Sequence, residues 1–562
     1  MSYQPPIADI AYALEHHADL NELATWFANP NADVATTVGL LEEAGRFVAE
    51  VIAPLGPVGD ENPAVRNADG SVTTSPGTKH AYDQFRASGW GGISFPEEWG
   101  GGGFPWVVTI AVQEMLASAA MGFSLCPLLT QGSIELLLHH ASPEQRQIYL
   151  PKMVSGEWTG TMNLTEPDAG SDVGALRAKA ARNDDGTYRI SGTKIFITYG
   201  EQDLTENIVH LVLARTPDAP AGTRGISIFI VPKFLVNADG SLGDRNPVSC
   251  LKIEHKIGIH ASPTCVLEFD NATGFLIGEE GGGMRSMFTM MNNARLSVGV
   301  EGLALAEAAY QLAHEYATNR TQGRATGSTA TGSSPIIDHP DVRVMLATMK
   351  ANIDAMRALL YFDAAHVDRA ASHPDPGERQ AAHNLVALLT PLSKAWCSDL
   401  GVEMTSLGIQ VHGGMGFVEE TGAARLWRDS RIAPIYEGTN GIQAIDLVTR
   451  KLSLDGGATL DGLLQRIEAD AGTTPALEAV RRVSAWMRTA LGEQRVNDAL
   501  AGATPYLRML STVVGDWLLQ RSGVATADFF RSHILPTVTG LESAATAGAI
   551  GIDRLYASSL HE

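Results

Sequence analysis

Apolar positions along the chain follow four successive patterns. Between about residues 36 and 160 they recur at helical spacing. Residues 38–52 form one such run, ended by Pro54, and residues 107–118 and 134–140 form two more. A Gly/Pro-rich stretch at 95–103 is a loop between them. From about 161 to 275 the period drops to two. Residues 188–198 follow an Asp185-Gly186 hairpin signal, and 208–214, 226–231 and 265–269 are short β-rich runs between turn residues. Several short strands in one stretch predict a small barrel or sandwich. From about 281 to 455 helices return, with Trp396, Leu400, Met404, Leu407 and Val411 forming one buried stripe. Within this region residues 324–335 are rich in Gly, Ser and Thr and read as a flexible surface loop. Residues 456–562 form a further helical block, opened by Asp455 and two glycines.

Helices that precede and follow the strands, rather than alternating with them, argue against a doubly wound parallel sheet. The glycine runs at 100–103 and 281–283 lack the strand-to-helix context of a dinucleotide fingerprint and read as turns. At roughly 150 residues per domain, the 562 residues allow three to four domains. Hydrophobic residues make up 44 % and charged ones 19 %, an ordinary globular balance.

The net charge of −22 repels a phosphate backbone and argues against nucleic acid as the main partner. It leaves room for a small anion in a locally basic pocket. Cys126, Cys250, Cys265 and Cys397 are far apart, which gives neither a disulfide framework nor a zinc signature and fits a reducing compartment. His255, His260 and His412 lack ligand spacing, so no metal is expected. Met287, Met290 and Met291 read as core. The N-terminal residues lack a signal peptide's basic and apolar regions, and no run suggests a membrane span. The expectation is a soluble, cytoplasmic protein.

Four stretches of the segments that carry chemistry can be read directly. The Thr165–Ser171 turn offers hydroxyls, backbone N–H groups and Gly170, which suit a flat polar heterocycle, although a simple capping loop has the same composition. Gln410, Val411, His412, Gly413 and Gly414 fit a helix C-terminus, and Arg320, in Asn319-Arg320-Thr-Gln-Gly-Arg324, fits either a solvated charge or a pyrophosphate partner. Glu437 lies between Ile435-Tyr436 and Gly438. An enclosed carboxylate there could serve as a base for an acidic C–H, and a salt bridge to Arg428 or Arg431 is the alternative.

Taken together, residues 162–174 with 194–198, Arg295, 319–324, 410–417, 428–431 and 435–440 resemble the acyl-CoA dehydrogenase family, in the right order over about residues 36 to 450. The resemblance implies a mainly α fold with a central β-barrel. Its parts are an N-terminal extension (1–35), an N-terminal helical domain (36–160), a β-barrel domain (161–280), a C-terminal four-helix bundle (281–455) and an additional helical domain (456–562). It implies FAD as cofactor, lined by Met162, Leu164, Thr165, Gly170 and Ser171, with Phe196 where the family often has Trp and Thr198 near the flavin N5. Gln410, Val411, Gly413, Gly414 and Thr439 complete the cofactor set, and Arg320 reaches the cofactor from a neighbouring subunit. Ser171, Asn292, Arg295 and Gly438 fall on the acyl-CoA side, Asn292 departing from a commonly acidic position. Glu437 is the implied catalytic base. The position that carries the base in a minority of the family is Ala294, which cannot be one.

The implied reaction is α,β-dehydrogenation of an acyl-CoA to trans-2-enoyl-CoA, with electrons passed to an electron-transferring flavoprotein. Residues 3–14 and the C-terminal block look like those of a large bacterial branch that includes broad-range fatty acyl-CoA and 3-methylthiopropionyl-CoA dehydrogenases. Two alternatives are an acyl-CoA oxidase and a DNA-associated relative with a basic extension. Residues 456–562 carry 9 Arg, 11 acids and no Lys, which does not supply a footprint for DNA. Their apolar faces, at Leu463, Leu464, Ile467, Val480, Val483, Ala485 and Trp486, predict a packed layer and a homodimer rather than a tetramer.

Overall fold

The structure is a computed structural model and describes residues 3–27, 29, 31–327, 329 and 331–559. In chain order the helices used below are α1 (Ile7–His16), α2 (Val34–Phe47), α3 (Trp106–His140), α4 (Pro143–Val154), α5 (Gly283–Asn319), α6 (Pro340–Ser372), α7 (Pro376–His412) and α8 (Asn440–Asp446). They are followed by α9 (Ala458–Ala471), α10 (Pro475–Gly492), α11 (Ala503–Ser522) and α12 (Thr537–Thr546). The main sheet has β1 (Trp158–Asn163), β2 (Lys179–Arg182), β3 (Tyr188–Thr198), β4 (Asn207–Arg215), β5 (Ile226–Pro232), β6 (Val248–Ile253) and β7 (Thr264–Leu276). The chain forms two compact units, one of Gly39–Ala294 and one of Pro6–Val38 with Arg295–Glu562.

In the first unit the sheet has seven strands. Strands β2, β3, β7, β5 and β4 pair in a ring, so the sheet closes into a barrel; β6 adds to β7, and β1 adds to β4 in parallel. Closure leaves Ile190, Val212, Phe229, Val231, Leu267 and Phe269 facing one another as a buried cluster. Irregular register in β7, after Cys265 and after Phe269, lets this long strand bend between two neighbours. Helix α4 begins with a reciprocal capping box between Ser142 and Gln145, with Pro143 at its first position.

The two helical runs expected at 107–118 and 134–140 belong to one element, α3, broken only at Ala120 (φ −154°, ψ 86°). By length and composition α3 is apolar enough to cross a membrane, a run the sequence reading passed over, yet it is almost wholly buried inside the protein. Its residues are apolar all round because it is a core helix. The run expected at 38–52 is α2 continued by a π-helical turn, Val48–Ile52.

In the second unit α5, from Arg295 onward, packs against α7 with the backbones in close approach. A Cβ at Gly302 would lie 2.3 Å from the Cys397 carbonyl oxygen, and one at Gly299 would lie 2.5 Å from that of Ser393. Helix α7 starts cleanly because Asp375 accepts from the N–H groups of Gly377 and Glu378, with Pro376 at the first position. In the expected stripe, Trp396, Leu400, Met404 and Val411 are buried and Leu407 is half-buried. The ring of Trp396 meets Gly515 of α11, so the C-terminal block shares the core of α6 and α7. The N-terminal arm is stitched to the same helices: Asp9 pairs with Lys350 (2.8 Å), Glu22 pairs with Arg369 (2.8 Å), and Tyr12 Oη donates to the Ser522 carbonyl (2.6 Å). Part of the segment expected to be a flexible loop, Ser328 and Ala330, lies outside the described residues. Its base is pinned where Ser334 N donates to Gly323 O (2.7 Å) and Gln322 N donates to Ser334 O (3.0 Å).

Candidate functional site

In the barrel unit, the chain leaves β1 at Asn163 and turns at once. Glu166 and Ala169 exchange backbone hydrogen bonds, both 3.0 Å, which closes the tight turn. The turn is then fixed to β3. Ile195 N donates to Thr165 O (2.9 Å), and Lys194 Nζ donates to Leu164 O (2.9 Å) and pairs with Glu166 (2.8 Å). The Glu166 carboxylate also accepts from Arg177 N (2.6 Å) and Ala178 N (3.0 Å). Lys194 and Glu166 are buried, and burial pushes the lysine down to about 8. This pair was not singled out from the sequence. A lysine and a glutamate 28 positions apart carry no local signal.

The fastening brings Leu164 and Thr165 against Lys194 and Ile195 of β3, with Phe196 next along the strand and Thr198 at its end. Phe196 is 59 % exposed and sits at φ +62°, an unusual conformation for an aromatic residue. The hydroxyls of Thr165 and Thr198 have no partner among the described residues. Met162 is half-buried on β1; Gly170 and Ser171 are exposed, with nothing within 4 Å of a Cβ added at Gly170. An exposed aromatic face with two unengaged hydroxyls fits a flat heterocycle with polar edges, as a flavin ring is. Asn292 is exposed in the same unit, and Met287 and Met290 are core residues there.

In the bundle unit, Glu437 lies on a turn that runs from Tyr436 into α8. Its φ is +55° and that of Gly438 is +86°. The left-handed conformation is strained at Glu437 and costs nothing at Gly438, where φ +86° disfavours any side chain and an added Cβ would lie 2.7 Å from Gln443 Nε2. Several contacts hold the turn. Arg295 Nε donates to Glu437 O (3.4 Å), Asn440 N donates to Pro434 O (3.0 Å), and the Tyr436 hydroxyl donates to Glu301. The Thr439 hydroxyl oxygen caps α8, accepting from Ile442 N (3.2 Å).

Burial pushes the Glu437 carboxyl up to about 7, against the opposite pull of Arg295 and Lys394. The Glu437 backbone N–H has no partner among the described residues. The alternative salt bridge is not formed at Arg428, which pairs instead with Glu419 (2.9 Å). Behind the turn lie Glu301 and Lys394, neither of them anticipated from the sequence, and Asn440, which closes the 435–440 motif but was given no role of its own there.

Arg320 follows the end of α5, and Gln410 to Gly414 form the end of α7. The rings of Tyr316 and His412 stack 4.6 Å apart, so the two helix ends lie side by side. Arg320, Gln410, Gly413 and Gly414 are exposed, and Val411 is buried. Gly413, at φ +59°, ends α7. An exposed guanidinium beside a glycine-rich helix end fits a pyrophosphate. The histidines are used locally: His412 Nδ1 bonds Gly408 O (2.7 Å), and His260 pairs with Asp60 (2.9 Å).

A chain with a helical region, a barrel carrying a hydroxyl-lined loop, and a bundle carrying a half-buried carboxylate has the parts of a flavin-dependent acyl-CoA oxidoreductase. Models of the acyl-CoA dehydrogenase N-terminal, middle and C-terminal domains match residues 37–157, 161–272 and 281–452. The chain belongs to the acyl-CoA dehydrogenase family, whose members are FAD enzymes. It is 47 % identical to a 3-methylmercaptopropionyl-CoA dehydrogenase of Ruegeria pomeroyi, over 93 % of this chain and 91 % of that protein. It is 32 % identical to the broad-specificity linear acyl-CoA dehydrogenase FadE5 of Mycobacterium tuberculosis, over 91 % and 92 %. The structure of Caenorhabditis elegans ACDH-11 in complex with C11-CoA matches with a TM-score of 0.77, covering 97 % of this chain and 91 % of that one; at 19 % identity this likeness is one of fold.

Proposed function

We propose that this chain oxidises an acyl-CoA thioester to the trans-2-enoyl-CoA, with Glu437 as the base and FAD as the acceptor. The observation that carries the proposal is the Glu437 turn: a carboxylate raised to about 7 beside a backbone N–H with no partner. Its carboxylate takes the proton α to the thioester carbonyl. Its backbone N–H donates to the carbonyl oxygen, where negative charge develops as the proton leaves. Gly438, without a side chain, leaves the thioester room to approach. On the barrel, Thr165 and Thr198 would hold the flavin ring's polar edge and Phe196 its face. On the bundle, Arg320 and the 410–414 turn would hold the pyrophosphate, Arg320 serving a neighbouring subunit. Bound by these residues, FAD would supply the acceptor for the hydride that leaves the β-carbon.

We take 3-methylthiopropionyl-CoA as the first substrate to try, on the strength of the Ruegeria pomeroyi relative. Short straight-chain thioesters come second. An electron-transferring flavoprotein is the proposed acceptor and a homodimer the proposed assembly, about twice the 59.8 kDa chain. Four buried, unpaired cysteines suit a reducing, cytoplasmic setting. The DNA-associated reading is disfavoured by the C-terminal arginines, most of which are spent on carboxylates: Arg481 on Glu468 and Glu478, Arg482 on Glu542, Arg488 on Asp461 and Arg508 on Glu403.

The test is an acyl-CoA panel, including 3-methylthiopropionyl-CoA, assayed with an artificial electron acceptor and separately for peroxide. Turnover with the artificial acceptor and little peroxide supports the dehydrogenase. Stoichiometric peroxide at every turnover identifies the oxidase instead, and no turnover with any thioester rejects the proposal.

A further inference from the structure

Lys394 is among the largest fully buried side chains of the protein. Its ammonium donates to the Oδ1 of Asn440 (2.8 Å), a neutral amide, and forms no ion pair within 4 Å among the described residues. An ammonium held this way is expensive, because burial without a close counter-charge removes its hydration with little return. Asn440 is itself committed. Its amide nitrogen donates to Ala395 O (3.1 Å), Ser398 Oγ (3.0 Å) and Asp399 Oδ1 (2.7 Å), so Asn440 ties the start of α8 to the middle of α7. Lys394 therefore sits where the Glu437 turn is anchored.

The carboxylates that attract it are, in order, Glu437, Glu301 and Asp399. Glu301 is buried and engaged by the Tyr436 hydroxyl, and burial raises it to about 8. The titratable groups facing Glu437 are thus Arg295 and Glu301 from α5 and Lys394 from α7, with Tyr436 from its own turn. Arg295 in turn faces Asp446 and Arg450, and Lys394 faces Asp399.

We propose that Lys394 is a positioning residue for Glu437: its ammonium, anchored on Asn440, holds the turn and supplies the positive charge that keeps the Glu437 carboxylate ionised at working pH. Arg295 supplies the other positive charge, but it also donates to the backbone of Glu437. Lys394 acts through Asn440 and through its field. This inference rests on Glu437 being the base.

The experiment is the pH dependence of kcat/KM with the best thioester of the panel, using FAD-loaded wild type, Lys394→Met, Lys394→Arg and Glu437→Gln. Wild type should show a rising limb near pH 7. In Lys394→Met the limb should move up by about one unit, the low end of the 1–3 units an opposite charge at close range produces. Above the displaced limb its kcat/KM should recover to within about threefold of wild type. Lys394→Arg, which keeps the charge, should hold the limb near its wild-type position. A merely structural lysine would give a uniform loss at every pH or no change, and either result overturns the proposal.

If Lys394→Met fails to fold or to retain flavin, Asn440→Asp carries the test. It places a carboxylate against the ammonium and should raise the limb in the same direction; an unmoved limb again overturns the proposal. Glu437→Gln separates the two levels of inference. If that variant turns over normally, the base assignment itself is wrong. If it is inactive while the limb stays put in the Lys394 and Asn440 variants, only the role of Lys394 falls.

Discussion

Replacing Lys194 by Met tests whether the loop between β1 and β2 is held to the barrel by a buried charge pair. The perturbation removes the ammonium that lies 2.8 Å from Glu166 and 2.9 Å from the Leu164 carbonyl, and leaves the methylene stem nearly intact. Glu166 keeps its two backbone N–H donors but loses its only counter-ion among the described residues. Breaking a buried pair from one side costs about 3–5 kcal/mol. At roughly 2–4 °C per kcal/mol, the melting point of the barrel unit should fall by about 6–20 °C. Because Leu164 and Thr165 ride on the same fastening, flavin retention through gel filtration should fall with it. The double variant Lys194→Met/Glu166→Gln removes the stranded charge and should recover most of the melting loss. If Lys194→Met melts within about 2 °C of wild type and keeps its flavin, the pair neither stabilises the barrel nor presents the loop.

Three further outcomes are expected. Gly302→Ala forces a Cβ to within 2.3 Å of the Cys397 carbonyl, so α5 and α7 must separate; overpacking of this kind costs about 1–3 kcal/mol, and thermal denaturation should show a lower midpoint. Asp363, buried and bonded to Ser393, has its carboxyl raised to about 7, so the folded chain holds a proton there that the unfolded chain releases. Its contribution is therefore fully present below the unfolded pKa and is lost as pH rises through about 7. Urea midpoints of Asp363→Asn should then decline less steeply from pH 5 to 7 than wild type, by about 2 kcal/mol over the interval, and identical slopes would contradict the assignment. Arg320→Ala should lower FAD occupancy at limiting FAD while leaving chain-length preference unchanged, and equal occupancy would count against a pyrophosphate role.

What was legible in the sequence is what is local. The strand at 188–198 declares itself by its alternation and the Asp185-Gly186 turn, and β3 occupies those residues. The motifs at 162–171 and 435–440 are contiguous, so they could be matched without knowing the fold. The strand pattern alone left barrel and sandwich open, because closure depends on β7 serving both β3 and β5, and on single pairings such as Lys179 with Arg215; only the resemblance implied a barrel. The α3 helix was read as fragments because it is buried on every side, which erases the amphipathic period. The polar groups behind Glu437 come from three separate stretches of chain. Glu301 looks like any helical glutamate, and Lys394 like a surface lysine, until the close approach of α5 and α7 buries them. The left-handed conformations of Phe196 and Glu437 run against local preference, and each lies at a residue assigned to chemistry on other grounds.

The central claim is that Glu437 removes the proton, and Glu437→Gln tests it most directly. The variant preserves the shape of the side chain and should retain both FAD and acyl-CoA binding. Loss of general-base catalysis lowers rates by about 10²–10⁴-fold, so turnover with the best thioester of the panel should fall by at least that much, and anaerobic bleaching of the flavin spectrum should be absent on the time scale of wild type. A variant with unchanged flavin content that kept more than about a tenth of the wild-type kcat would contradict the account.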